Sequence, residues 1–192
     1  MPSFIKNTQD IRIERREWYD YLQRDISPLF KPDMVDSDVA LCLSRMDNSP
    51  QAIRFFAAQS QHLTDYGYWF FLGTCWVQYT GWSELALWKS LFSSSRPHRE
   101  SCLMKPTELR HFKALPKNVH CYRVHRPDEQ DWISYTLDFD TAKKFAGIRG
   151  VSQIHEYRIP RKRLACLFLR RQEYEVLCID NKHARLHAVT EL

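Results

Sequence analysis

Leu115-Pro116-Lys117-Asn118-Val119-His120-Cys121-Tyr122-Arg123-Val124-His125 is the stretch on which the reading of the fold turns. Pro116 and Asn118 are turn residues, and from Val119 onward the chain takes the period of a strand. Before residue 115 the apolar spacing is helical. The 192-residue chain is therefore expected to be an α+β protein with two regions packed as one compact unit: a helical N-terminal region over 1–115 and a β-rich core over 116–192.

Downstream of that stretch, Val119–His125 reads as a first strand and Trp132–Leu137 as a second. A helix over Asp140–Gly147 follows, with Ala142, Phe145 and Ala146 on its apolar side. Gln153–Ile159, Leu164–Leu169 and Tyr174–Ile179 read as three more strands, and Ala184–Val189 as a last edge strand. Strands so closely spaced, mostly without crossover helices, imply an antiparallel or mixed sheet.

Upstream, Ile13–Arg24 is a charged amphipathic stretch. Asp36-Ser37-Asp38 is expected to cap a helix through Val39, Leu41, Leu43 and Met46. Ser49-Pro50 opens another, Ser suiting the N-cap and Pro the first helical position. Tyr66–Tyr79 is apolar almost all round, as in a helix surrounded by others. Trp82-Ser83-Glu84 is expected to start a helix over Leu85–Phe92. Ser93–Pro97 is a loop, and Pro106–Phe112 a short helix.

Composition narrows the classes. Hydrophobic residues make up 44% of the chain and glycines number only 5, which excludes a disordered or low-complexity protein. A net charge of +5 tolerates a polyanionic partner without establishing one. The six cysteines form no C-x-x-C pair and no zinc spacing, and are expected to be buried, reduced thiols. The N-terminus lacks the apolar core of a signal peptide. The uncharged run Tyr66–Ser83 is interrupted by Gly67, Thr74, Gln78, Thr80 and Gly81, so it reads as a buried helix rather than a membrane span. A cytoplasmic location with no membrane partner is expected. No metal is expected, because no His-Glu-x-x-His or comparable motif occurs. No glycine-rich phosphate loop occurs either.

Three pieces of the β-rich region carry chemistry. The first is Arg123 amid apolar strand residues. The second is Ser134-Tyr135-Thr136, whose hydroxyls lie two apart and so share a strand face. The third is Glu173-Tyr174-Glu175-Val176-Leu177, with two carboxylates two apart. Singly, each is common on ordinary strands: an Arg in an ion pair, a Ser-x-Thr face, a solvated pair of Glu.

Together and in this order, CYRVHR, ISYTLDFDTAKKFA and RRQEYEVLCI resemble the R-S-E class of ADP-ribosyltransferases over about residues 116–180. The Asp138-to-Ala146 spacing adds to the match. The helical leader, with YGYWFFLG and WKSLF, resembles that of small bacterial and phage-borne members. The resemblance implies the ADP-ribosyltransferase fold, a split mixed or antiparallel sheet with a helical N-terminal half. It also implies NAD as co-substrate.

The resemblance also implies a role for each motif residue: Glu175 would be the carboxylate that stabilises the developing ribosyl cation. Glu173, on the same strand face, orients or deprotonates the acceptor. Arg123 offers a planar fork to a cofactor phosphate or ribose. Ser134 bonds the nicotinamide-side ribose, Thr136 braces the strand and the glutamate, and Tyr135 alternates into the core. Phe145 is the family-pattern neighbour of the nicotinamide, although helix packing explains it equally well. The family commonly has Gly after the strand Arg. Here Val124 stands there, leaving its backbone N–H and C=O for the nicotinamide amide in a more crowded setting.

A different class of these enzymes starts from His, and His120 and His125 keep that assignment open. Implied partners are NAD, a macromolecular acceptor (nucleic acid ahead of protein) and, for a toxin, a neutralising antitoxin protein. Arg161-Lys162-Arg163 and Arg170-Arg171 suit a phosphate backbone, and Trp132 suits base stacking. The alternatives are an NAD glycohydrolase on the same fold, and an inactive nucleic-acid-binding or interaction domain.

Overall fold

The computed structural model describes residues 25–46, 49–79 and 84–192. The amphipathic stretch Ile13–Arg24 and the Trp82-Ser83 helix start lie outside the described residues. The described chain divides into two compact units, the first ending at Leu109 and the second running Arg110–Leu192. Among the described residues there are seven α-helices and six strands, an α+β composition. No described helix is long and apolar enough to cross a membrane.

The first unit holds α1 (Met34–Ser44), α2 (Pro50–Gln59), α3 (Asp65–Gln78), α4 (Leu85–Phe92) and α5 (Arg99–Leu103). Helix α6 (Pro106–Ala114) runs through the division. Asp33, not the expected Asp36-Ser37-Asp38 run, caps α1, its carboxylate accepting from the Asp36 N–H at 3.0 Å. Asp36 has another task. Its carboxylate accepts from the Thr64 N–H at 3.0 Å and from the Thr64 hydroxyl at 2.5 Å, at the N-terminus of α3. An anion there complements the helix dipole. Thr64 is itself the N-cap, accepting from the Gly67 N–H at 3.0 Å. Pro50 takes the first position of α2 as expected, but Ser49 makes no side-chain cap bond.

Helix α3 is buried on several sides, as its all-round apolar sequence predicts. Trp69 and Leu72 are fully buried, as are Phe56 of α2 and Trp88 and Phe92 of α4. The polar tips of two buried rings are satisfied: Trp69 Nε1 donates to Pro97 O at 2.9 Å and the Tyr68 hydroxyl to Leu91 O at 2.8 Å. A cavity of about 360 Å³ opens among Ile53, Phe70, Phe71, Cys75, Tyr79 and their neighbours. None of the expected site residues lines it.

The second unit is built on β1 (Asn118–Arg123), β2 (Ser134–Thr136), β3 (Gln153–Pro160), β4 (Cys166–Phe168), β5 (Glu175–Leu177) and β6 (Arg185–Glu191). Their order is β4-β5-β2-β1-β3-β6, and every pairing is antiparallel. The six strands form one hydrogen-bonded sheet rather than two. Its two halves are unequally joined. β1 pairs with β3 from Asn118↔Pro160 to Arg123↔His155, whereas β1 meets β2 at Tyr122↔Thr136 alone. The sheet therefore has a waist one residue pair wide, with three strands on either side.

Helix α7 (Phe139–Arg149) follows β2 directly. Asp138 caps it, accepting from the Thr141 N–H and hydroxyl at 2.9 and 2.8 Å. Gly150 ends it in the left-handed region at φ 65°, where a side chain is disfavoured. Ala142 and Ala146 press against Val124 and Ile154, with Tyr122, Phe139 and Phe145 packed around them. The two alanines let the helix approach the sheet closely.

Candidate active site

Directly opposed residues of an antiparallel pair share a face, and so do alternate residues of one strand. Thr136↔Glu175 and Ser134↔Leu177 thus put Ser134, Thr136 and Glu175 on one face of the sheet. The Ser134 hydroxyl donates to Glu175 Oε1 at 2.5 Å. Arg123, opposed to His155, leaves β1 from the other face. Its guanidinium reaches the waist all the same, Nη1 donating to the Ser134 carbonyl at 2.7 Å. Ser134 is therefore the junction of the three motifs: its carbonyl holds the arginine and its hydroxyl holds the glutamate.

Glu173 stands apart from the strand-face expectation. β5 begins at Glu175, and Gln172 and Tyr174 have positive φ, 56° and 49°. Period-two alternation does not run through such a turn. Thr136 holds it instead, donating to the Glu173 carbonyl at 2.6 Å while accepting from the Asp138 N–H at 3.0 Å. The bracing role expected of Thr136 thus acts on the backbone. Burial pushes the Glu173 carboxyl above its ordinary value, and Arg171, 3.3 Å away, pulls it back. Arg171 is thereby engaged with the turn.

The end of β1 crowds three guanidinium groups. Glu129 accepts from Arg123 Nε at 3.0 Å and Nη2 at 2.5 Å, both side chains nearly buried at 12% and 10% exposure. Burial alone would raise the Glu129 carboxyl, but hydrogen bonds from His125 and Arg123 outweigh it and hold the group at about 2. Arg149 of α7 donates to the Val124 carbonyl. Burial, then the charges of Arg123 and Arg126, bring Arg149 down to about 10. The carbonyl of Val124 is thus already engaged, and its side chain belongs to the α7 core. The Phe145 ring lies in that same packing, with the Arg149 guanidinium 5.5 Å from its centroid.

Behind Arg123 lies a histidine and aromatic cluster that sequence reasoning largely missed. His125 pairs with Glu129 at 3.0 Å and with the Tyr157 hydroxyl at 2.8 Å. Trp132 packs on His125 at 4.3 Å and donates to the Tyr135 hydroxyl at 2.8 Å. It is a packed ring of the cluster, not the exposed stacking surface expected. Tyr135 is buried, as alternation predicts. His155 completes the group 4.8 Å from His125, with its Nδ1 buried and without a hydrogen-bond partner. Glu129 lies in an irregular segment, where no periodicity flags it; only its i,i+4 spacing from His125 hinted at the pair. Among the described residues no group of three or more His, Cys, Asp or Glu is arranged to hold a metal ion.

No protein-family model, curated protein or solved structure matches the chain. What fold and site define is thus an α+β protein with an Arg–Ser–Glu junction at the waist of an antiparallel sheet.

Proposed function

We propose that this chain is an NAD-dependent mono-ADP-ribosyltransferase, moving ADP-ribose from NAD to a macromolecular acceptor, with nucleic acid favoured over protein. The observation that carries the reading is the Ser134 junction, which ties Arg123 on one side and Glu175 on the other.

The chemistry follows from the residue types. The bond between the ribose C1′ and the nicotinamide nitrogen breaks, its electron pair leaves with nicotinamide, and an oxocarbenium-like ribosyl cation develops. Glu175, held by Ser134, places a fixed negative charge beside that cation. The acceptor nucleophile bonds to C1′ and gives its proton to Glu173, whose raised carboxyl suits a base. Arg123, Arg149 and the neighbouring Arg126 supply permanent charge for the cofactor's diphosphate, which relieves their mutual repulsion. Glu129 currently fills the Arg123 fork, so the diphosphate binds by exchanging with that carboxylate. Val124 offers the nicotinamide amide less than a glycine would, since Arg149 already takes its carbonyl. As a small enzyme of this type, the chain suits a cytoplasmic toxin kept in check by an antitoxin protein.

The test is incubation with labelled NAD and a whole-cell lysate, separated afterwards into protein, RNA and DNA, with wild type beside Glu175→Gln. Label in one fraction that disappears in the variant establishes transfer and its acceptor class. Free ADP-ribose without a labelled macromolecule replaces the reading with a glycohydrolase. No turnover of NAD leaves a binding domain.

A further inference from the structure

One face of the β1–β3–β6 half carries a cross-strand row of basic side chains. His120↔Arg158 and Arg158↔Arg185 are direct register pairs, so the three side chains stand in line at the spacing of neighbouring strands. All three residues are exposed. A β-bulge opposite Glu156/Tyr157 leaves His187 unpaired in β6, and such a bulge re-aims a side chain. Its ring turns onto this face, with Nε2 2.7 Å from Arg158 Nη2 and 5.8 Å between the centroids of His120 and His187. The nearby carboxylate is Glu156, 2.7 Å from His120 Nδ1.

The row continues at the end of the sheet. Arg161 N donates to the Lys117 carbonyl at 2.9 Å. The Arg161 side chain is structural, with Nη1 on the carbonyls of Lys113 and Leu115 at 2.5 and 2.6 Å. Lys113, Lys117, Lys162 and Arg163 are exposed around it. The segments 110–127, 157–171 and 181–190, which supply these cations, contain no Asp or Glu.

We propose that the row His120–Arg158–Arg185, with His187, is a docking surface for the phosphate backbone of a nucleic acid. Two guanidinium groups and two imidazole rings from three strands are gathered on one open face, and their N–H groups address phosphates rather than base edges. Binding is therefore sequence-independent and salt-dependent. As the surface that presents an acceptor, the row rests on the transferase reading; as a binding surface it does not.

The experiment measures fluorescence anisotropy of a labelled RNA of about 20 nucleotides, and of a DNA duplex of the same sequence, without NAD and across a salt series. The expected result is that Arg158→Gln with Arg185→Gln weakens binding about tenfold or more and lowers the slope of log K against log salt by about 2. Arg158→Lys with Arg185→Lys, which keeps the charge, retains the slope. Unchanged affinity and slope in the Gln pair overturn the proposal. So does a poly-glutamate peptide that binds as tightly as the nucleic acids and loses as much in the Gln pair, because the surface then suits an acidic protein. Because Glu175→Gln is assayed in parallel and NAD is omitted, failure of transfer leaves this measurement standing.

Discussion

Glu129 grips Arg123 through both carboxylate oxygens, at 3.0 and 2.5 Å, at the point where β1 ends. On the proposed transferase reading, a guanidinium so engaged is oriented before NAD arrives, and its fork is vacated for the diphosphate. Glu129→Gln weakens the grip, and NAD affinity measured by calorimetry is expected to rise several-fold. Arg123→Ala is expected to lower it by about tenfold or more, the worth of a charge-assisted bond. Equal affinity in wild type and both variants removes the pair from the cofactor site.

The same pair sets an acid dependence. The Glu129 carboxyl is held at about 2, below its ordinary 4.5, so its contribution to stability is complete above 4.5 and disappears as pH falls toward 2. Glu129→Gln is expected to lose about 1.5–3 kcal/mol near neutral pH, because Arg123 and His125 lose a charged partner. Its stability in urea should then vary less than wild type between those two pH values. Parallel curves would show that Glu129 carries none of the acid sensitivity.

Ser134→Ala deletes the hydroxyl on Glu175 while keeping the carbonyl on Arg123. Loss of a hydrogen bond to a charged group, about 1.5–3 kcal/mol, corresponds to a fall in kcat of roughly 10- to 100-fold. The KM for NAD is expected to change little, since Arg123 keeps its anchor. A rise in KM at constant kcat would mean that Ser134 serves binding alone.

In the helical unit, Gly67→Ala should destabilise despite the higher helix propensity of Ala, about 1 kcal/mol. A Cβ at Gly67 would stand 2.3–2.4 Å from the Asp36 carboxylate, which is fixed by Thr64. The expected net cost is about 2 kcal/mol by thermal or denaturant unfolding. Combining it with Asp36→Ala should cost less than the sum of the two, since the clash vanishes with the carboxylate.

Cys75 offers a chemical readout of the same unit. Burial pushes its thiol up to about 12, so the thiolate is scarce at neutral pH. Iodoacetamide at pH 8 is expected to leave Cys75 unmodified in native protein and to alkylate it in urea. Rapid native labelling would show that the pocket wall opens.

Much of this architecture was legible where periodicity or turn chemistry acts locally. All six strands, the buried α3, the Pro50 helix start and the loop after Phe92 follow from spacing and from Pro, Ser and Asn. The misses have separate causes. Asp36 looked like a cap because acidic residues near a helix start usually are, yet its partner is Thr64, 28 residues away. The turn before Glu175 breaks alternation through two non-glycine residues at positive φ, which composition does not announce. The short helix Arg99–Leu103 has too few turns to show a period. At the site, Arg123, Ser134 and Glu175 were recognisable as an ordered set. Glu129 and Arg149 were not, because their importance arises from convergence in space at the end of β1.

The waist at Tyr122 and Thr136 makes the second unit mechanically uneven. A full ladder behaves as a plate, whereas two three-stranded ribbons joined through one pair behave as leaves about a pivot. Twist applied to either ribbon collects at that pivot, because no other register pair there shares the load. Arg123 and Ser134 belong to different leaves, and their 2.7 Å contact is the latch nearest the axis. The latch runs on through the Ser134 hydroxyl to Glu175, so guanidinium and carboxylate stay coupled across the pivot by two hydrogen bonds rather than by the ladder.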